Sequence, residues 1–92
     1  MDTARRGRAP AKVRLTLLTR AYCHLCDTMR DALVPLVRQH GATLAVLDVD
    51  TDSALEAAYG ELVPVLLLGD VEDGQVLCHY HLDRARLLAA LA

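Results

Sequence analysis

Two cysteines three residues apart, Cys23 and Cys26, are the side chains of this sequence best suited to chemistry. They lie in Thr19-Arg20-Ala21-Tyr22-Cys23-His24-Leu25-Cys26-Asp27, between an apolar run over residues 13–18 and a segment of helical period. On a helix, residues three apart share a face, with Cβ atoms about 5–6 Å apart. Disulfides accept Cα separations of roughly 4.4–6.8 Å, so small rotations bring the two sulfurs to bonding distance. The first cysteine also falls near a helix start, where unpaired N–H groups and the positive dipole end favour thiolate over thiol. Thiolate is the form that attacks a disulfide. The spacing thus predicts Cys23 as nucleophile and Cys26 as the thiol that resolves a mixed disulfide.

A C-x-x-C pair can instead be half of a zinc site, which needs a second pair of ligands. The later run Cys78-His79-Tyr80-His81 makes four ligands arithmetically possible. In a strand, however, neighbouring side chains alternate between faces, so Cys78 and His81 form a poor second pair. A pair that only scaffolds the loop is the third reading. Dithiol redox chemistry is the expectation, with no metal. Cys78 reads as a small apolar strand residue. His24, when protonated, can stabilise the Cys23 thiolate and make the couple more oxidising, or it is simply an exposed neutral imidazole. Asp27 and Asp31 suit the helix dipole, and a carboxylate near Cys26 opposes its ionisation. Tyr22 either walls the site and packs on a bound peptide, or covers the loop.

The elements that must hold these residues follow from the patterning. Residues 13–18 alternate and then turn fully apolar, as a strand entering a buried sheet does. Cys26, Met29, Leu33, Leu36 and Val37 recur at three- and four-residue steps and define one helix face. Pro35 inside that pattern predicts a kink, not an end. Gly41 is placed to close the helix. Residues 43–49 read as a second strand, and the intervening helix makes a β-α-β crossover with parallel strands. After a turn at residues 50–52, Ser53 and Glu56 have capping-box spacing for a short helix through Tyr59, which Gly60 can stop. Residues 62–68 are continuously apolar apart from Pro64, which should mark a strand's start. A polar turn over residues 69–74 leads to a fourth strand, 75–79, paired as a hairpin with the third. Asp83 caps a last helix, with Leu82 and Leu87 as its staple and Leu87, Leu88 and Leu91 as its buried stripe. The expected order is β-α-β-α-β-β-α.

At 92 residues the chain has room for one domain. Its apolar fraction of 53% suffices for a core, and with three tyrosines as the only aromatics that core is built from Leu, Val and Ala. Three cysteines do not make a disulfide scaffold. No apolar run approaches the eighteen or so residues of a membrane span, and the arginine-bearing start lacks the apolar stretch of a secretory signal. A reducing cytoplasm is the expected setting, with neither membrane nor nucleic acid as a partner. Residues 1–20 hold six bases (Arg5, Arg6, Arg8, Lys12, Arg14, Arg20) against Asp2 alone. Such an arm can contact nucleic acid or membrane, but residues 1–12 lack apolar periodicity and contain Gly7 and Pro10, so a solvated, flexible tail is the simpler expectation. The folded domain is then 13–92.

The element order, Tyr22-Cys23-His24-Leu25-Cys26 after the first strand, and Val63-Pro64 opening the third together resemble the glutaredoxin-like branch of the thioredoxin superfamily. The resemblance implies a four-stranded mixed sheet of order 2-1-3-4 with the last two strands antiparallel. It implies a cis Val63–Pro64 peptide beside Cys23, whose exposed backbone pairs with an incoming thiol peptide like an added strand. It further implies a thiol–disulfide oxidoreductase with no bound cofactor, acting on protein disulfides or small thiols. Electrons would come from glutathione or a reductase such as that of the thioredoxin system. A monomer is expected. Arg20, Tyr22, Val63 and Pro64 are the implied substrate contacts, with Arg20 standing where these proteins usually carry a carboxylate-binding Lys. Departures are also visible: His24-Leu25 replaces Pro-Tyr, Leu62 precedes Val63-Pro64 in place of Thr, and Tyr80-His81-Leu82-Asp83 stands where a glycine pair admits the glutathione γ-glutamyl group. Side chains there would crowd glutathione, so a protein disulfide is the favoured substrate. A metal or iron–sulfur protein and a non-catalytic adaptor of the same fold are the rival readings.

Overall fold

The computed structural model describes residues 12–92, so the arm expected over residues 1–12 lies, Lys12 apart, outside the described residues. The first strand, β1 (Arg14–Thr19), is buried from Leu15 to Leu18, as its turn from alternating to continuous apolar residues requires. Leu15 and Leu17 enter one apolar cluster and Leu18 another, the two-residue alternation of a strand covered on both faces. Thr16 is the buried polar residue among them, and its hydroxyl donates to the Gly69 carbonyl at 2.7 Å.

Helix α1 (His24–Gln39) buries the five side chains its periodicity singles out, Cys26, Met29, Leu33, Leu36 and Val37. It runs on through Pro35, which is exposed. The Asp31 carbonyl deprived of an amide there is on an exposed residue too, where water can serve it. The helix ends as expected at Gly41, whose φ of 66° favours a residue without Cβ. Gly41 N–H donates to Arg38 O at 3.2 Å and Ala42 N–H to Val37 O at 3.0 Å, so the last carbonyls are satisfied.

Strand β2 (Thr43–Asp48) pairs in parallel with β1 from Arg14↔Thr43 to Thr19↔Asp48. Val49, expected to end that strand, instead opens a single 3-10 turn, Val49–Thr51, and its side chain is fully buried. Helix α2 (Ser53–Tyr59) follows. Its N-cap is Asp52 and not Ser53: the Asp52 carboxylate accepts from Ala54 N–H at 2.9 Å and Leu55 N–H at 3.3 Å. The expected Ser53–Glu56 box is displaced by one residue because Asp52 is an equally good cap and Glu56 has another partner, Arg20. Gly60 does end the helix, in right-handed backbone (φ −54°).

Strand β3 (Val65–Leu68) is shorter than the apolar run suggests and begins after Pro64. It runs antiparallel to β1 and to β4 (Gln75–His79). A bulge interrupts the second pairing, because Leu66 faces Cys78 while Leu67 faces Val76. The sheet order is β2-β1-β3-β4. Helix α3 (Arg84–Leu91) is capped by Asp83, whose carboxylate accepts Arg86 N–H at 3.0 Å. Leu87 and Leu91 are buried and Leu82 packs on the same cluster, but Leu88 is exposed, so the stripe is narrower than expected.

Two cores result, one on each side of the sheet. The larger joins β1, β3 and β4 to α1 and α3 through residues such as Leu17, Leu33, Leu66 and Leu87. The smaller contains Leu18, Cys26, Val49, Val63, Val65 and Leu67, with Leu55 and Tyr59 of α2 against it. The cysteine pair belongs to the smaller one.

Candidate active site

Cys23 is the N-cap of α1, with extended backbone (φ −112°, ψ 104°), and its Sγ accepts the Cys26 N–H at 3.1 Å. A cysteine at this position takes the place of the usual Ser or Asp cap and meets one of the helix's orphan donors. The Cys23 and Cys26 Cα atoms are 5.2 Å apart and the sulfurs are bonded. The two differ sharply in surroundings. Cys23 is half-exposed, whereas Cys26 is 2% exposed among Leu18, Val49, Val63, Val65 and Leu67. An incoming group can reach the first sulfur and not the second.

The chain makes its turn into α1 at Tyr22, which has a φ of 59° and a fully solvated side chain (106% of its reference area). Tyr22 therefore does not cover the loop. With Cys23, His24 and Asp27 it lines an open hollow of about 270 Å³. His24, the first residue of α1, is exposed in that hollow. The Asp27 carboxylate accepts from Arg30 Nη2 at 2.9 Å.

Val63 and Pro64 complete the site. Their peptide is cis. Pro64 is fully buried, and Val63 shares the apolar cluster against which Cys23 packs. Around them four backbone groups are tied, although the Glu61 N–H and the Leu62 C=O have no hydrogen-bond partner among the described residues. Gly60 O accepts from Arg20 Nη1 at 2.9 Å, Glu61 O from the Tyr80 hydroxyl at 2.8 Å, and Pro64 O from Tyr80 N–H at 2.9 Å. Leu62 N–H donates to Tyr59 O at 2.8 Å. Val63 is different: neither its N–H nor its C=O has a hydrogen-bond partner among the described residues.

Arg20 corrects an expectation. The resemblance implies that it binds a substrate carboxylate, but its fork is taken by its own chain. Nε and Nη2 donate to the two Asp50 oxygens at 3.1 and 2.7 Å, and Nη2 reaches Glu56 Oε2 at 3.2 Å. The Asp50 carboxylate, followed by Glu56, holds the guanidinium firmly charged, and the same hydrogen bond holds Asp50 below the usual carboxylate range. A Cβ at Gly60 would stand 2.7 Å from Glu56 Oε2 and 3.2 Å from Arg20 Nη2, so glycine leaves room for this pair. Arg20 thus binds the cysteine loop to the 3-10 turn, to α2 and to the segment leading into Val63.

Cys78 lies on the other side of the sheet, half-buried against the larger core, where desolvation pushes its thiol pKa up. The four-ligand set of Cys23, Cys26, Cys78 and His81 is not assembled, and among the described residues no three metal-ligating side chains converge. Tyr80, which reading the sequence marked only as an obstacle to glutathione, emerges as a structural partner of residues 61–64. No local pattern signals this, because the contacts span nineteen residues. Among the described residues no helix is long and apolar enough to cross a membrane.

The sheet order, the helices and a half-exposed cysteine bonded to a buried one define a thioredoxin-fold domain. The chain belongs to the glutaredoxin-like family: the model described as Glutaredoxin-like domain (DUF836) matches residues 14–92. A protein of Nitrosomonas europaea solved by solution NMR is 32% identical, with a TM-score of 0.78 over 92% of this chain and 98% of its own. An X-ray structure from X. campestris is 40% identical, with a TM-score of 0.58 over 84% and 93%. Thioredoxin of Trichomonas vaginalis, at 19% identity and a TM-score of 0.58 over 86% and 76%, shares the fold. An uncharacterized protein of Mycobacterium tuberculosis is 31% identical over 89% of this chain and 86% of its own length.

Proposed function

We propose that this protein is a thiol–disulfide oxidoreductase that acts on disulfides of polypeptides. The observation that carries the reading is the asymmetry of the pair: Cys23 half-exposed at a helix N-terminus with a backbone N–H on its sulfur, Cys26 buried behind it. In the reduced protein the same N–H meets a Cys23 thiolate, a charge-assisted hydrogen bond stronger than a neutral one. The thiolate attacks one sulfur of the substrate disulfide, and the other leaves as a thiolate that takes a proton from water. Cys26, deprotonated as it attacks, then displaces the substrate's remaining sulfur from Cys23. The substrate gains two electrons and two protons, and the Cys23–Cys26 disulfide is left. A thiol reductant, glutathione or a dithiol reductase, returns the pair to the reduced state.

Two features bear on the substrate: the first suits any cysteinyl peptide, glutathione included, and the second disfavours glutathione. The open Val63 N–H and C=O can pair with the backbone on either side of a substrate cysteine, as an added strand does. Glutathione also needs its terminal carboxylates held, and Arg20, the guanidinium nearest in sequence to Cys23, is already committed to Asp50 and Glu56. A glutathionylated peptide and a protein disulfide, compared at equal enzyme and donor concentrations, test the substrate class. Faster turnover of the protein disulfide is expected. Strong preference for the glutathionylated peptide overturns the assignment. The setting for this chemistry is a reducing cytoplasm, where oxidised protein thiols are re-reduced.

A further inference from the structure

Tyr80 has a φ of 62°, a conformation rare for a residue with a large side chain. Such a residue persists where its surroundings over-determine it, and its place is a guide to function. Tyr80 follows β4 directly and makes three contacts. Its N–H holds Pro64 O, its hydroxyl holds Glu61 O, and its ring meets His79 edge-on with centroids 4.6 Å apart. The two hydrogen bonds grip residues 61–64 from both ends. Arg20 holds Gly60 O just before them. The segment is thus fixed at three carbonyls, while Val63, between the two that Tyr80 holds, keeps its own N–H and C=O open among the described residues.

We infer that Tyr80 is a positioning residue for the substrate backbone: it fixes residues 61–64 so that the Val63 peptide groups meet an extended chain while its cysteine sulfur lies at Cys23. This deepens the proposed redox function and rests on it. Its N–H, continuing the β3–β4 ladder by one residue, and its hydroxyl both reach the same segment. A small disulfide with no peptide backbone gains nothing from that alignment, whereas a polypeptide disulfide does. Tyr80 therefore sets selectivity between them and touches neither reacting sulfur.

The test uses the pre-reduced protein in a single turnover, so that two electrons pass from Cys23 and Cys26 to one substrate disulfide without an added donor. Two substrates are compared, a disulfide-linked peptide pair and bis(2-hydroxyethyl) disulfide. Tyr80→Phe deletes only the hydroxyl. Tyr80→Gly also deletes it, but keeps the N–H to Pro64 O and suits the positive φ. Loss of one positioning hydrogen bond should lower the ratio of peptide to small-disulfide rates by about three- to tenfold in both variants. Because Tyr80→Gly relieves the backbone while losing the hydroxyl, a loss shared by both variants tracks the hydroxyl and not stability. An unchanged ratio in either variant, including parallel loss of both rates, overturns the inference. If the unaltered protein reacts with neither disulfide faster than a free thiol does, the proposed function itself fails, a result separate from any change in the ratio.

Discussion

Removing one cysteine at a time should expose how unequal the two sulfurs are. Consider Cys26→Ala and Cys23→Ala, each in a Cys78→Ala background so that one thiol remains. In Cys26→Ala the backbone N–H of residue 26 still points at the Cys23 sulfur, 3.1 Å away in the oxidised protein. A hydrogen bond to a charged group is worth about 1.5–3 kcal/mol, or roughly ten- to a hundredfold in the thiolate-to-thiol ratio. The helix terminus adds about 0.3–1 kcal/mol in the same direction. A more acidic thiol is also a weaker nucleophile, by about threefold for each tenfold of acidity, so the rate gain is smaller than the population gain. Because the thiolate population saturates, attack on 4,4′-dithiodipyridine at neutral pH should therefore run about two- to fourfold faster than for an unperturbed thiol. Cys26, 2% exposed in an apolar cluster, loses hydration on ionising and should react more slowly than a free thiol. Stopped-flow release of thiopyridone reads both rates. Equal rates, or a faster Cys26, refute the reasoning from exposure and the helix cap.

Other variants address the surroundings of the pair. His24→Ala removes the imidazole from the hollow it shares with Cys23; with that support for the thiolate gone the couple becomes less oxidising, so equilibration with glutathione should show a lower potential, and an unchanged potential argues that the imidazole is idle. Arg20→Lys keeps one charge but cannot bridge Asp50, Glu56 and Gly60 O together, so a raised KM for polypeptide disulfides and a lower melting temperature are expected; parameters equal to those of the parent argue that the brace is idle. Asp70 is held below the ordinary carboxylate range by the Asp73 and Glu72 amides, and Asp50 by Arg20. Because the unfolded chain then binds more protons, this stabilisation is present at neutral pH and lost as pH falls through the lowered folded values. Asp70→Asn should flatten the acid limb of urea-measured stability against pH, and an unaltered slope contradicts that origin.

The sequence announced what depends on neighbours along the chain. The cysteine spacing, the stripe of α1 from Cys26 to Val37, the Gly41 stop and the Asp83 cap are local signals, and each element they mark is present. The cap of α2 was misplaced by one residue because Asp52 and Ser53 are both good caps, and only the position of Arg20 decides where Glu56 turns. The apolar run suggests a longer β3 because it does not distinguish ladder residues from a loop, and residues 62–64, with Leu62 exposed and Val63 and Pro64 buried, are the latter. Within the site, Cys23, Cys26 and Val63 share one apolar cluster, and Pro64 follows Val63 as a fully buried residue. The partners of Arg20 and the grip of Tyr80 are invisible in the sequence: a single charged or aromatic residue carries no period, and its contacts lie sixteen (80 − 64) to forty residues away.

In the proposed mechanism Cys23 attacks and Cys26 resolves. It is tested most directly by trapping the intermediate with Cys26→Ser, in which nothing remains to release the substrate. Reduced Cys26→Ser protein is mixed with a polypeptide disulfide, quenched with acid, and mapped by mass spectrometry under non-reducing conditions. A substrate-linked Cys23 should accumulate in this variant, be released by dithiothreitol, and be absent from Cys23→Ser. Attachment at Cys78, or release of the substrate at the parent rate, contradicts it.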